Sequence, residues 1–269
     1  MIEFNYFNGQ ILTSEQTKIH VSDLAFLRGY GIFDFLRVIN NKPIFIEDHL
    51  DRFENSAKLM GLPIAENRER LKEIVSELIK LNPHEILGVK LILTGGYSED
   101  GFNPSEKSNL LVTAKPFTFN NPLLGVKLMS YEYRREIPEV KTLSYVIPIK
   151  MLPKLKEMHA DDFLYFYNGL ISESSRSNVF IVKNQKVITA KTGVLPGITR
   201  KYVIKACKGN FEVEERDVSL TEMLYADEVF ITTSNQRIVS VTQIDNQIFN
   251  GGQIGTVTKK LQELFLKVE

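Results

Sequence analysis

The sequence predicts a two-domain protein of mixed class, α+β to α/β, with a smaller N-terminal α+β domain and a larger C-terminal β-barrel-like domain that carries helices. Three observations predict it. Alternating apolar runs in the first half are interrupted by asparagine- and glycine-containing turn signals. Two stretches of helical period follow those runs. The second half is dominated by short strand-like runs with helical segments interleaved, the pattern of an antiparallel or barrel-like sheet. At 269 residues the chain is long enough for one large domain or two modest ones.

The opening IEFNYFNGQIL reads as two strands around Asn8-Gly9, a strong hairpin signal. GIFDFLRVINNKPIFI repeats the pattern, broken at Asn40-Asn41. A helix is expected next, capped by Asp48, with Leu50, Phe53, Ala57 and Leu59 as its apolar stripe. NRERLKEIVSELIKLN is a second amphipathic helix, with Leu71, Ile74, Val75, Leu78 and Ile79 on one face. ILGVKLILTGG and SNLLVTAKPF are strand-like. KPFTFNNPLL, with Pro116 and Pro122 around a polar centre, is the linker candidate. The expected division is therefore 1–115, a linker at 116–122, and 123–269. In the last part VKLMSYEY, DFLYFYNG, NVFIVKNQKVIT and DEVFITTS read as strands, with helices around 147–159, 198–208, 218–225 and 255–266.

Lys+Arg and Asp+Glu balance at 33 each, so no overall field favours nucleic acid or an anionic membrane, and an anionic ligand must be held by a local site. The single cysteine, Cys207, forms no internal disulfide; a buried structural thiol and a reducing cytoplasm are expected. The N-terminus has no basic stretch followed by an apolar one, and no apolar run approaches the length of a membrane span. His20, His49, His84 and His159 are scattered singly, so no metal site is expected.

Four segments carry candidate chemistry. VKTLSYVIPIK places Lys141 and Lys150 at the ends of an otherwise uncharged run. Each is either a surface lysine or an amine partly removed from water so that it can act as a nucleophile. In GVLPGITRKYVIKAC, Gly197 precedes a helix whose first turn holds Ile198 and Thr199. Unpaired N–H groups at a helix start suit a phosphate, although a plain Pro-Gly turn accounts for the same residues. Glu173, in GLISESSRSNVFIV, is by itself a solvated turn residue. Beside a nitrogen heterocycle, an ionised Glu173 would favour the protonated ring. Arg52, in EDHLDRFENSAKLMGL, is exposed by default; buried, it would need an anion, and phosphate matches its fork of donors.

The order of these segments is more specific than any one of them. RGYGIFDFLRV, EDHLDR, VKTLSY, ISESSRSNVFIV, VLPGITR and ADEVFITTSNQRI together resemble the class-IV aminotransferase family from about Phe26 to Phe265. This is the fold-type IV group of pyridoxal-phosphate (PLP) enzymes: branched-chain aminotransferases, D-amino-acid aminotransferases and aminodeoxychorismate lyases. Glu173, Asn178, Phe180 and Leu195 to Arg200 form the most specific part of the match. The resemblance implies pyridoxal 5'-phosphate as cofactor, and an amino acid and a 2-oxo acid as substrates. Lys141 resembles the catalytic lysine that bonds to the cofactor and moves the substrate Cα proton, while Lys150 falls back to a helix surface. A base of this kind must be neutral near pH 7, which partial burial and a cationic neighbour favour. Glu173 resembles the carboxylate facing the pyridine nitrogen. Arg52, Ile198 and Thr199 resemble the phosphate ligands, and Ser234 a further phosphate or carboxylate donor. A homodimer is also implied.

The substrate side, by the same resemblance, involves Phe33, Phe35, Arg37, Thr94, Gly95 and Asn235. Asp34 stands where branched-chain and D-amino-acid enzymes usually carry Glu. Phe35 stands where branched-chain enzymes tend to have Gly and lyases Thr; it would narrow the pocket and favour an apolar substrate. Arg37 matches an arginine near the substrate carboxylate, and a surface-facing strand position accounts for it equally well. LTGGYSEDGFNP lacks the arginines that some relatives use there and carries Glu99 and Asp100, while Gly95-Gly96 would let backbone approach a ligand. Ser144 and Tyr145 stand where relatives often show Asn. The leading expectation is an aminotransferase for apolar or branched-chain amino acids. The alternatives are aminodeoxychorismate lyase and a non-catalytic dimeric binding module, the latter opposed by the joint presence of Lys141, Glu173 and Arg52.

Overall fold

Asn8 and Gly9 both take positive φ, 43° and 92°, and turn β1 (Phe4–Phe7) back onto β2 (Gln10–Thr13). Asn40 and Asn41 do the same between β3 (Gly31–Ile39) and the short β4 (Lys42–Pro43). Between the hairpins lies α1 (Leu24–Arg28), capped by the Asp23 side chain and closed by the left-handed Gly29. The computed structural model describes residues 3–119 and 124–269 and divides into two units, Met1–Thr118 with Val140–Tyr145, and Phe119–Glu139 with Val146–Glu269. Residues 120–122 of the expected linker lie outside the described residues.

The first unit is a six-stranded antiparallel sheet in the order β2-β1-β6-β5-β3-β4, where β5 is Ile86–Thr94 and β6 is Asn109–Pro116. Helices α2 (Ile46–Leu59) and α3 (Arg68–Leu81) bury their apolar stripes against one face. That face presents Ile32, Leu36 and Val38 of β3 and Val89, Leu91 and Leu93 of β5. The α3 stripe is the expected one, and Asn67 caps the helix by accepting from the Arg70 amide. For α2 the cap differs from expectation. Phe45, left-handed at φ 56°, starts the helix, so Asp48 falls in its first turn, where its charge still favours the N-terminus. Leu59 is 56% exposed and leaves the stripe; His49, Arg52 and Ser56 are buried beside Leu50, Phe53 and Ala57 instead.

The segment around Lys141, expected inside the 123–269 domain, belongs to the first unit. Phe33 N–H donates to Lys141 O and Leu143 N–H to Gly31 O, both at 2.9 Å, and Ile32 bridges Thr142. The segment therefore runs beside the first half of β3, which β4 leaves unpaired.

The second unit contains β7 (Val126–Glu132), α4 (Val146–Lys150), α5 (Leu152–Glu157), β8 (Asp162–Tyr167), β9 (Leu170–Ser174), β10 (Asn178–Lys183), β11 (Lys186–Thr189), α6 (Ile198–Cys207), β12 (Val213–Glu215), α7 (Leu220–Leu224), β13 (Glu228–Thr233), β14 (Arg237–Ile244), β15 (Gln247–Ile248) and α8 (Thr256–Leu266). The sheet runs β12-β11-β10-β13-β14-β7-β8-β9, and β9 pairs back onto β10 through Glu173 and Asn178. That pair closes β10, β13, β14, β7, β8 and β9 into a barrel, mostly antiparallel, with parallel joins at β14–β7 and β7–β8. Val179, Ile181, Val229, Ile231, Val239 and Val241 lie in one apolar core. Cys207 is fully buried and its thiol is pushed up to about 12 by burial, as an inert structural thiol should be.

Glu228 caps α8 from inside the protein. Its carboxylate accepts from Val257 N (2.9 Å), Thr258 N (2.8 Å) and Thr258 Oγ1 (2.7 Å). A Cβ at Gly255 would stand 1.8 Å from Glu228 Cδ. Gly255→Ala is therefore expected to lower stability by about 1–3 kcal/mol, read as a shift of the urea midpoint. An unshifted midpoint would mean that Glu228 can move away at no cost.

Candidate active site

In the first unit the site begins with the alternation of β3. Ile32, Asp34 and Leu36 share the face covered by α2, so an acidic residue is driven into the core between two apolar neighbours. Asp34 is fully buried, and α2 supplies its partners one turn apart. Arg52 donates from Nε to Oδ2 and from Nη2 to Oδ1, each at 2.8 Å, and His49 Nδ1 lies 2.7 Å from Oδ1. Burial alone would raise the Asp34 carboxyl, but the Arg52 charge, His49 and their hydrogen bonds outweigh it and hold Asp34 well below the usual carboxylate range. Burial lowers His49, helped by the charges of Arg52 and Lys141 and opposed by Asp34. A neutral His49 beside an ionised carboxylate must donate its Nδ1–H to it.

On the opposite face, Lys141 is half-buried with Nζ 4.5 Å from the centre of the Phe33 ring, and Tyr145 packs its ring 6.0 Å from the same ring. Phe35 lies over Gly88, where a Cβ would meet the ring at 2.6 Å, and 5.6 Å from Phe117. Arg37 is 3% exposed, which removes the surface-facing account of it. Lys150 and Ser144 are exposed.

Two of the expected substrate contacts also make contacts within the first unit. Thr94 is buried and donates its hydroxyl to Asp23 Oδ2 at 2.7 Å, where Asn109 Nδ2 also donates at 2.7 Å. That bond braces the start of the loop. Gly95 lacks a side chain because a Cβ would stand 2.4 Å from the Tyr30 ring, so packing accounts for it.

In the second unit Glu173 is 5% exposed at the end of β9. Oε2 accepts from Leu195 N at 3.0 Å and Oε1 from Arg135 Nε at 2.7 Å. Across the barrel seam, Asn178 Nδ2 donates to Leu195 O at 2.8 Å. Leu195 is thus gripped at both backbone groups, which fixes the entry to α6 two residues on. Gly197, the N-cap, makes no side-chain cap bond, and a Cβ there would stand 1.9 Å from Asn178 Oδ1. Ile198 and Thr199 follow, both buried, in the first turn of a ten-residue helix. Arg200 anchors that helix from behind, donating to Ala190 O (3.1 Å) and Glu215 (2.8 Å). Ser234, half-buried, and Asn235, exposed, form the turn between β13 and β14, followed by Arg237 in the left-handed region at φ 64°. Arg237 stacks 4.0 Å over the Phe119 ring and donates to Glu269 at 2.6 Å.

The sequence reading missed the Asp34–His49–Arg52 cluster and Arg135. The first had a signal: Asp34 has the same strand parity as Ile32 and Leu36. Arg135, in the segment after β7, had none, because its partner lies 38 residues away on β9.

The family model for amino-transferase class IV matches residues 31–244 of this chain. The protein named "Putative branched-chain-amino-acid aminotransferase" of Methanocaldococcus jannaschii is 32% identical over 97% of this chain and 94% of its own length. The D-alanine aminotransferase of Bacillus licheniformis is 28% identical over 95% and 93% respectively. Among solved structures, the branched-chain amino acid aminotransferase from Escherichia coli superposes with a TM-score of 0.90 at 25% identity, covering 99% of this chain and 94% of that one.

The buried ionic cluster makes stability pH-dependent in a defined direction. His49 is lowered on folding, so the unfolded chain binds its proton more readily, and stability falls as pH drops below about 6.5. Asp34 is lowered too, so its contribution is present above about 3.9 and is lost on further acidification. The urea midpoint of the native protein should decline between pH 7.5 and 5.5 more steeply than that of His49→Gln; parallel profiles would contradict a neutral buried His49. Asp34→Asn should cost about 3–5 kcal/mol, because it leaves the Arg52 charge buried without its carboxylate.

Proposed function

This chain belongs to the class IV aminotransferase family and is a PLP-dependent aminotransferase, and from that premise we propose that it transfers the amino group of an apolar, branched-chain-type amino acid to a 2-oxo acid. The observation that carries the reading is the grip on Leu195. It sets a buried carboxylate, Glu173, beside a helix start whose N-cap residue, Gly197, makes no side-chain cap bond. A pyridine nitrogen and a phosphate on one small molecule are what such a pair would hold, and Gly197 lets Asn178 pack against the helix entry where a Cβ would push it away.

When bound, PLP supplies an electron sink conjugated with the carbon that carries the transferred nitrogen. The residues do the rest. Glu173, ionised and fixed by Arg135 and the Leu195 amide, would hold a proton on the ring nitrogen. Ile198 N, Thr199 N and the Thr199 hydroxyl would bind the phosphate, with Ser234 as a further donor. Arg52, oriented by its two hydrogen bonds to Asp34, would present its guanidinium to a phosphate oxygen. Lys141 Nζ, half-buried over Phe33, is the amine that would bond to the cofactor, later take the proton from the substrate Cα and deliver it to the cofactor carbon that carries the transferred nitrogen.

Phe33 and Phe35 share one face of β3 and offer an aromatic wall to a hydrocarbon side chain. The lyase alternative is not favoured, since the relatives named above are aminotransferases. Homodimer assembly accords with Phe26 and Phe102, each 75% exposed in the first unit. A cytoplasmic location accords with the unpaired buried thiol; among the described residues no helix is long and apolar enough to cross a membrane.

The purified protein should show a visible absorption band that borohydride abolishes and that Lys141→Ala lacks; a colourless protein would overturn the cofactor assignment. With leucine and 2-oxoglutarate it should form glutamate, whereas pyruvate release from aminodeoxychorismate would favour the lyase. Glu173→Gln should keep the cofactor bound yet lose kcat by roughly two orders of magnitude.

A further inference from the structure

Ser234 and Asn235 belong to a three-residue turn, Ser234–Gln236, closed by the pairing of Thr233 with Arg237. The chain leaves this turn through Arg237 at φ 64°, a left-handed conformation that glycine usually supplies at the end of a hairpin turn. An arginine there is strained, and the strain persists only where the surroundings fix the residue. The Arg237 guanidinium is held on a face and at an edge. It stacks 4.0 Å over the Phe119 ring, and its Nε donates to Glu269 Oε2 at 2.6 Å while Nη2 pairs with the same oxygen.

The Glu269 side chain is 5% exposed, so its carboxylate needs that cation in place. Glu269 stands three residues beyond α8, and Val268 N–H and Glu269 N–H both donate to Phe265 O, which ties it to the end of the helix. α8 is also fastened to the β13–β14 hairpin elsewhere. Glu228, at the start of β13, caps its first turn, and Gln262 Nε2 donates to Ile238 O at 3.0 Å, one residue after Arg237. The helix therefore runs along the hairpin from its open end to its turn, and Glu269 reaches the turn. That turn lies at the end of the sheet where the α6 entry is seated. Thr232 pairs with Asn178, whose side chain grips Leu195, so the turn begins one residue past the strand position that faces Asn178.

We propose that Arg237, clamped by Glu269 and Phe119, is a positioning residue for the β13–β14 turn, setting Ser234 toward the cofactor phosphate and Asn235 toward the substrate. The inference rests on the aminotransferase reading with Ser234 as a phosphate donor, and extends it to side chains that act through the turn. The end of α8 thereby sets the affinity for the cofactor.

The test uses the PLP-loaded enzyme. Arg237→Gly accepts the left-handed backbone and removes the clamp, Glu269→Gln keeps the shape and removes the charge, and the double variant combines them. Equilibrium dialysis of the holoenzyme gives the PLP dissociation constant, and KM and kcat are measured for leucine and 2-oxoglutarate with PLP saturating. Each single variant should weaken PLP binding about tenfold and raise KM severalfold, with kcat within about twofold. Arg237→Lys, which keeps the charge, should recover most of the loss. The double variant should lose no more than either single one, because the two side chains act as a unit. It also leaves no charge buried alone, so it reports on the clamp even where a single variant fails to fold. A lowered melting temperature with an unmoved PLP dissociation constant and KM, the mark of a structural role alone, overturns the proposal. Losses that multiply in the double variant overturn it as well. A wild type that binds no PLP overturns the aminotransferase reading itself, whereas a yellow, active wild type whose PLP affinity the variants leave unmoved overturns the Arg237 assignment alone.

Discussion

Leu195 is held at both of its backbone groups by two side chains that face each other across the seam of the barrel, and the second unit is organised around that grip. Glu173 and Asn178 are the residue pair through which β9 returns to β10, so one contact both closes the barrel and seats the turn into α6. Each participant is buried and polar, which is costly unless every group is satisfied. Glu173 accepts from a backbone amide and from Arg135, and Asn178 donates to a carbonyl. Gly197 is constrained in turn, because its missing Cβ is the space that Asn178 Oδ1 occupies. The spacing Glu…Asn…Leu-Pro-Gly in the sequence is the linear projection of this one cluster.

The first unit solves a related problem with charges. A buried carboxylate such as Asp34 persists only with a partner, and α2 provides an arginine through two parallel hydrogen bonds and a neutral histidine. An ion cluster of this kind adds little net stability compared with a well-packed apolar substitute. What it does is fix orientation: a guanidinium held at Nε and Nη2 has lost most of its rotational freedom before any ligand arrives. Asp34 in place of a longer glutamate keeps that fork close to the β3 backbone, where Oδ1 also accepts from Phe35 N.

Much of this was legible in the sequence because it is local. The Asn8-Gly9 and Asn40-Asn41 turns, the α3 stripe and the start of α6 depend on neighbours a few residues apart, and each occurs where turn chemistry and period place it. The order of motifs identified the family for the same reason: it is a linear pattern. The features that escaped are long-range. The first turn of α2 depends on Phe45 adopting a left-handed conformation after β4, which no propensity favours for phenylalanine. The Lys141 segment leaves its own half of the chain because β4 is too short to cover β3, a fact about strand length across a sheet. The contacts of Thr94 with Asp23 and of Gly95 with Tyr30 are likewise between residues distant in sequence.

The parity of β3 joins the two faces of its sheet into one requirement. Odd-numbered Phe33, Phe35 and Arg37 lie on one side, and even-numbered Ile32, Asp34 and Leu36 on the other. A slip of one residue would exchange them, placing Asp34 beside Lys141 and phenylalanines beside Arg52. The register is held by the Asn40-Asn41 turn at one end, by β5 along the full length of the strand and by the Lys141 segment on the open edge. Position 34 therefore cannot be considered apart from Lys141, although their side chains lie on opposite faces. Any sequence change that eases the slip, such as an apolar residue at 34, removes the penalty that keeps Phe33 beneath Lys141. The buried charge specifies the register, and the register places the amine.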